Sequence, residues 1–282
     1  VPQLKKKTEL KSCHNTSWED DYSWVHQPNI LEVLKDSSKL DPEVRKYLEE
    51  ENNYTEHHLK DTKGIQKTLF DEIKGRIKLD DESIPFKDRN YEYWTKTTTK
   101  GNYSIKLRKK IGTDLIEEYW NGDEEKKKLN TEYFGVGEIE VSYNDKILGY
   151  SLDLKGSEYY TIYLRDIETN KIISEKIEDT AGGITFSLDD KFIFYSKLDK
   201  FHRPRKIYRH KIGDNISNDK LIFEEKSDAF TVGINLTSDE KYFIITSSDH
   251  NTSEQYYFKS TEENPEPKLI LSLIHISEPT RR

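Results

Sequence analysis

The chain has 282 residues, 35% of them charged and 33% hydrophobic, with a formal net charge of −8. That length suits one large domain or two smaller ones, and an aromatic share of 12%, led by 18 Tyr and 11 Phe, supplies bulky core material that excludes disorder throughout. An acidic balance with no free-standing basic patch argues against a nucleic-acid partner, and apolar runs no longer than a strand argue against a membrane span or signal peptide.

The first third reads as an arm followed by helices. "SWEDDYSWV", Ser17 to Val25, is aromatic and acidic without a clear period, which predicts an extended arm packed on something else. Asp41 followed by Pro42 is an N-cap and first-turn pair, and Val44, Tyr47, Leu48 and Tyr54 share the face of the helix it opens. A second helix is predicted from Asp61 or Thr62, with an apolar stripe of Ile65, Leu69, Ile73 and Ile77 and a weak spot at Gly75.

After Pro85 the helical period disappears. "YEYWT", "YSIKLR" and "LIEEY" are predicted strands of a first sheet between about Tyr91 and Tyr119. From Glu138 a repeat emerges. "SYNDKILGYS" at Ser142, "SLDDKFIFYS" at Ser187 and "TSDEKYFIIT" at Thr237 carry one polar turn and strand at intervals of roughly 45 to 50 residues. Each heads a unit of four strands: "EIEVS", "KILGYS", "YTIYLRD", "KIISEKI"; then "GITFS", "KFIFYS", "KIYRHKI", "KLIFEE"; then "TVGINL", "KYFIIT", "EQYYFKS", "KLILS". Four short strands at this period are a β-propeller signature, in which the acidic turn residues accept hydrogen bonds from turn amides and residues such as Phe192 and Phe194 pack between blades. The competing architecture is a β-sandwich with coincidental spacing.

Catalytic motifs are sparse. "GYSLD" at Gly149 lacks the second glycine of a nucleophile turn, and "GVGEI" at Gly135 lacks the Lys-Ser/Thr ending of a phosphate loop. No metal-ligand spacing and no cofactor motif is present, so none is expected. Cys13, the single cysteine, rules out an internal disulfide and fits a reducing, cytoplasmic compartment.

"PEVRKYLEEENNYTEHHLKDTKGIQKTLFDEIKGRIKLDDESIPFKDRNYEYW", Pro42 to Trp94, resembles the oligopeptidase B branch of the prolyl oligopeptidase family of serine peptidases. Further likeness lies in "GSEYYTIYLRDIETNK" from Gly156 and "DKFHRPRKIYRHKIG" from Asp199, and the arm is similar at His14, Asp20, Tyr22 and Trp24 but departs at Asn15 and Trp18. The resemblance implies a seven-bladed propeller capping an α/β-hydrolase domain that holds a Ser-Asp-His triad, with cleavage of short basic peptides after Arg or Lys. It further implies an N-terminal arm and helices over residues 1–78 that pack on the hydrolase domain. Residues 79–270 would then be a partial β-propeller of about four blades, making the chain an N-terminal fragment.

None of the triad is in this sequence, so no catalytic residue is carried over and the fragment by itself is expected to be inactive. Glu158, in "KGSEYY", and Arg203, in "FHRPRK", are the candidates for interdomain or substrate-gating contacts. The absence of methionine implies a chain that does not begin at its start codon, and "LSLIHISEPTR" from Leu271 reads as a non-native, adapter-derived tail over 271–282. The alternative function is a stand-alone propeller that binds a partner protein and catalyses nothing.

Overall fold

A computed structural model describes residues 1–271 and divides into two compact units, Val1–Leu79 and Asp80 onward. The tail expectation falls outside the described residues apart from Leu271.

In the first unit the arm is not simply extended. It forms a two-stranded antiparallel hairpin, β1 (Glu9–Cys13) with β2 (Thr16–Asp20). His14 and Asn15 turn it with φ of 49° and 63°, the left-handed pair that matches the twist of a two-residue hairpin. Helix α1 (Ile30–Lys35) leads to α2 (Pro42–Leu59), whose cap is the predicted one: Asp41 accepts from the amides of Glu43 at 2.8 Å and Val44 at 3.2 Å. A single 3₁₀ turn, Lys60–Thr62, delays α3 to Lys63–Gly75. Its stripe is uncovered, with Ile65, Leu69 and Ile73 exposed by 60%, 49% and 61%.

The second unit is a succession of antiparallel sheets. In the first blade β3 (Asp81–Glu82) and β4 (Phe86–Asp88) both pair with β5 (Tyr91–Thr97), followed by β6 (Ile105–Lys110) and β7 (Ile116–Asn121). Helix α4 (Gly122–Leu129) then interrupts the strands, where the sequence shows no helical period. It is too short and too charged to display one; Asn121 caps it, Asp123 to Glu125 sit in its first turn and Lys126 to Lys128 in its last, which is the arrangement the helix dipole favours.

The second blade comprises β8 (Gly135–Val141), β9 (Ile147–Asp153), β10 (Tyr160–Asp166) and β11 (Ile177–Thr180). The third comprises β12 (Thr185–Phe186), β13 (Phe192–Leu198), β14 (Pro204–Lys211) and β15 (Lys220–Glu224). The fourth comprises β16 (Thr231–Leu236), β17 (Tyr242–Ser248), β18 (Ser253–Lys259) and β19 (Lys268–Leu271). A bridge between Thr180 and Lys197 joins the second and third blades edgewise. The strand predicted at "KIISEKI" pairs only from Ile177; before it Ile172 makes a lone bridge to Arg165.

Strand alternation explains why these sheets stack. In β9, Leu148, Tyr150 and Leu152 face the first blade, burying with Tyr93 and Trp120. The intervening Gly149 lies against the third blade, where an added Cβ would come within 3.2 Å of both Ile184 and Phe186. In β13, Ile193 and Tyr195 pack with Ile162 and Leu164 of the second blade, while Phe194 packs with Phe243, Ile245 and Phe258 of the fourth. Both faces of a central strand are therefore buried, each against a different neighbour, so a blade cannot complete its core alone.

The repeated turn is hydrogen-bonded in the same way at all three places. The hydroxyl of Ser142, Ser187 or Thr237 donates to the side-chain oxygen of Asn144, Asp189 or Asp239 at 2.8, 2.7 and 2.7 Å. The same hydroxyl accepts from the amide of Ile147, Phe192 or Tyr242 at 2.9, 3.0 and 3.1 Å. Asp145, Asp190 and Glu240 take the left-handed conformation that completes the turn.

Candidate functional site

Glu158 and Arg203 lie in corresponding hairpins of successive blades, between β9 and β10 and between β13 and β14. Each hairpin is organised by an aspartate at the end of its first strand. Asp153 accepts from the amides of Lys155 at 2.9 Å, Gly156 at 3.1 Å and Glu158 at 2.7 Å. Asp199 accepts from the amides of Phe201 at 2.8 Å and Arg203 at 3.0 Å and from Arg205 Nε at 2.7 Å. Desolvation works to raise the Asp199 carboxyl, and these bonds with the charge of Arg205 together outweigh it, holding the group below its usual pKa. Glu158 has φ of 58°, and both candidate side chains are exposed.

The structure brings the two hairpins together through a residue to which the sequence assigns no role. His202 Nε2 lies 3.1 Å from the carbonyl oxygen of Ser157, and its ring meets that of Tyr159 edge-on at 4.5 Å. Phe201, the residue before His202, and Tyr133, whose ring lies against Gly156, are exposed by 53% and 49%.

A second region lies along the inner strands. Glu138 and Glu140 on β8, Thr185 on β12 and Asn235 on β16 border a cavity of about 310 Å³. The Glu140 carboxyl is pushed up to about 7, chiefly by the protein crowded around it and next by the charge of Glu138, against the opposing charge of Arg89. Solvent still reaches Glu140, so screening reduces the effect. Among the described residues no group of three His, Cys, Asp or Glu side chains is placed to hold a metal ion.

A hydrogen-bonded Ser-His-Asp array does occur, between the second and third blades. Ser174 Oγ is 2.8 Å from His210 Nε2, His210 Nδ1 is 2.7 Å from Asp219 Oδ1, and the Tyr195 hydroxyl donates to Asp219 Oδ2 at 2.8 Å. The His210 ring is wholly buried and Asp219 nearly so, which leaves a substrate carbonyl no route to the imidazole. The array is a brace across the blade junction. Its members are 36 and 9 residues apart, and nothing in their spacing marks them in the sequence.

The family described as "Prolyl oligopeptidase, N-terminal beta-propeller domain" matches residues 2–275. Among curated proteins, dipeptidyl aminopeptidase BI of Pseudoxanthomonas mexicana is 27% identical over 269 residues, covering 90% of this chain and 36% of its own length. Protease 2 of Moraxella lacunata is 27% identical over 261 residues, again covering 90% of this chain and 36% of the relative. Among solved structures, oligopeptidase B from Leishmania major superposes with a TM-score of 0.84 at 22% identity, over 96% of this chain and 40% of that one. Oligopeptidase B from Trypanosoma brucei, with covalently bound antipain in a closed form, gives 0.83 at 21% identity over 96% and 39%. The chain thus spans little more than a third of the length of the relatives it matches.

Proposed function

The chain belongs to the prolyl oligopeptidase family as its N-terminal β-propeller region, and from that premise we propose that it is the cap and arm of a serine-type oligopeptidase that cleaves short peptides after Arg or Lys. Its catalytic α/β-hydrolase domain would lie beyond these 282 residues. There a histidine takes the serine proton and backbone amides hold the oxyanion, while the propeller restricts entry to short peptides. Residues 1–78 are the part that docks on that domain, and 79–270 are the cap. The bare stripe of Ile65, Leu69 and Ile73 supports the docking role, because an amphipathic helix is stabilised by covering such a face.

Glu158 and Arg203 are assigned to the contact between cap and catalytic domain, each pairing with an opposite charge across it. The observation that carries this assignment is their joint presentation on adjoining, internally braced hairpins. An arginine partner for Glu158 gives a planar, two-point contact suited to holding the closed enzyme. No helix of the described residues is long and apolar enough to cross a membrane, and the single cysteine supports a cytoplasmic setting.

The test is to express the 282-residue chain and the complete gene product side by side, and to assay both on Arg-, Lys- and Pro-amide reporters. Hydrolysis of the Arg and Lys reporters by the longer protein only is the expected result. Steady cleavage by the purified 282-residue chain would falsify the inactivity of the fragment, and a silent complete product would favour a binding module.

A further inference from the structure

Glu158 is flanked by two residues that touch the same imidazole. Ser157 offers its carbonyl to His202 Nε2 at 3.1 Å, and Tyr159 packs edge-on against the His202 ring at 4.5 Å. A carbonyl oxygen only accepts, so Nε2 carries the hydrogen in this contact. His202 is itself rigidly set. It has φ of 62°, its amide donates to the Asp199 carbonyl at 3.0 Å, and the Asp199 carboxylate binds the amides on either side of it in sequence, those of Phe201 and Arg203. Asp199 is in turn fixed by Arg205 Nε at 2.7 Å. A continuous chain of contacts therefore runs from Arg205 on β14 through Asp199 and His202 into the hairpin that carries Glu158 on the preceding blade.

We infer that His202 is a positioning residue for Glu158: by gripping the residues before and after it, the third blade fixes the direction in which the second blade presents that carboxylate. The role of the carboxylate as an interdomain contact rests on the reading proposed above, whereas the grip does not. Without it, the Glu158 hairpin loses its tie to the third blade, and a loop with fewer such ties opens locally more readily than the sheet beneath it. The same grip ties the backbone beside Arg203, the next residue after His202, to the hairpin that carries Glu158.

The experiment follows amide hydrogen exchange by NMR in the 282-residue chain, with the native protein compared to His202→Ala and His202→Gln. Ala and Gln bear a similar strain at positive φ, so the comparison isolates the side chain. In His202→Ala the amides of Glu158 and Tyr159 are expected to exchange about tenfold faster, as loss of one hydrogen bond implies, while those of β10 and β13 are unchanged. In His202→Gln, whose amide nitrogen can donate to the Ser157 carbonyl, most of that protection is expected to return. Unchanged exchange at Glu158, an equal loss across all strands, or no recovery with Gln would each overturn the inference.

In the complete enzyme, Glu158→Gln and His202→Ala are expected to lower kcat/KM on an Arg reporter by similar factors, with the double variant no worse than Glu158→Gln alone. A silent Glu158→Gln alongside faster exchange in His202→Ala removes the interdomain role of Glu158 and leaves the positioning standing.

Discussion

Asp190 accepts a 2.6 Å hydrogen bond from the backbone amide of Tyr143, 47 residues earlier, so the turn of the third blade clasps the turn of the second. Asp145 reaches back likewise one blade earlier, accepting from the Tyr93 hydroxyl at 3.0 Å and from the side-chain Nδ2 of Asn90 at 2.9 Å. At these two turns the left-handed residue thus has two jobs. It completes its own turn, and its side chain reaches back to the preceding blade.

Desolvation raises the Asp190 carboxyl pKa, opposed by the amides of Tyr143 and Asn144, so what this position needs is an acceptor more than a charge. Asp190→Asn keeps an acceptor and tolerates positive φ; it is expected to be nearly neutral. Asp190→Ala loses the acceptor and adds backbone strain, and is expected to cost about 2 kcal/mol. Urea unfolding of the two variants checks the difference; equal losses would mean the charge itself matters.

The turn repeat was legible because its bonds are local: Ser187, Asp189 and Phe192 lie within six residues of one another, and the pattern recurs. Of the two β13 residues expected between blades, Phe194 does pack against the fourth, whereas Phe192 is only partly buried, with the Arg209 guanidinium 4.4 Å from its ring centroid. What escaped was set by stacking. His202 meets Ser157 across 45 residues and Ser174 meets His210 across 36, and only the packing of one blade on the next selects those partners. The late start of β11 has the same origin. Ser174 is turned toward His210, and Glu175 accepts from the Ile216 amide at 3.4 Å, so both are committed to the third blade before the strand of their own begins to pair. Helix α4 was hidden for another reason, because eight residues dominated by charge carry no apolar period.

The Ser174, His210 and Asp219 brace makes a prediction about stability and one about chemistry. His210→Leu strands a buried carboxylate with only the Tyr195 hydroxyl, and is expected to cost about 3 kcal/mol. Ser174→Ala removes one hydrogen bond at the margin of the array and is expected to cost about 1 kcal/mol. Because the imidazole is enclosed, a fluorophosphonate probe is expected to leave Ser174 unlabelled. Stoichiometric labelling of Ser174 would show that the array is a nucleophile after all.

Glu140 gives the fold a pH dependence whose sign follows from its carboxyl. Folding raises it from 4.5 to about 7, so the folded state binds this proton more tightly than the unfolded one. Its favourable contribution is fully present below about 4.5 and is lost as pH rises through 7. Glu140→Gln, which cannot ionise, is expected to melt above the native chain at pH 8 and no higher than it at pH 4.5. Solvent access to Glu140 makes this a modest shift, read by paired thermal melts; a gap that widens toward acid would reverse the assignment.

Two apolar side chains of similar size are expected to behave oppositely because of what surrounds them. Ile193 is fully buried between the second and third blades, and Ile193→Ala is expected to cost about 2 to 5 kcal/mol wherever the propeller is folded. Leu69 on α3 is 49% exposed, and Leu69→Ala in the 282-residue chain is expected to change stability by no more than about 0.5 kcal/mol. If the α3 stripe docks on a catalytic domain, the same substitution becomes a core truncation in the complete enzyme. There it should cost several times as much and lower the temperature at which activity is lost. Measuring both substitutions in both proteins separates the cases: an Ile193 penalty common to the two with a Leu69 penalty confined to the longer one identifies the stripe as the docking face. A Leu69 substitution that stays silent in the complete enzyme removes that role from α3.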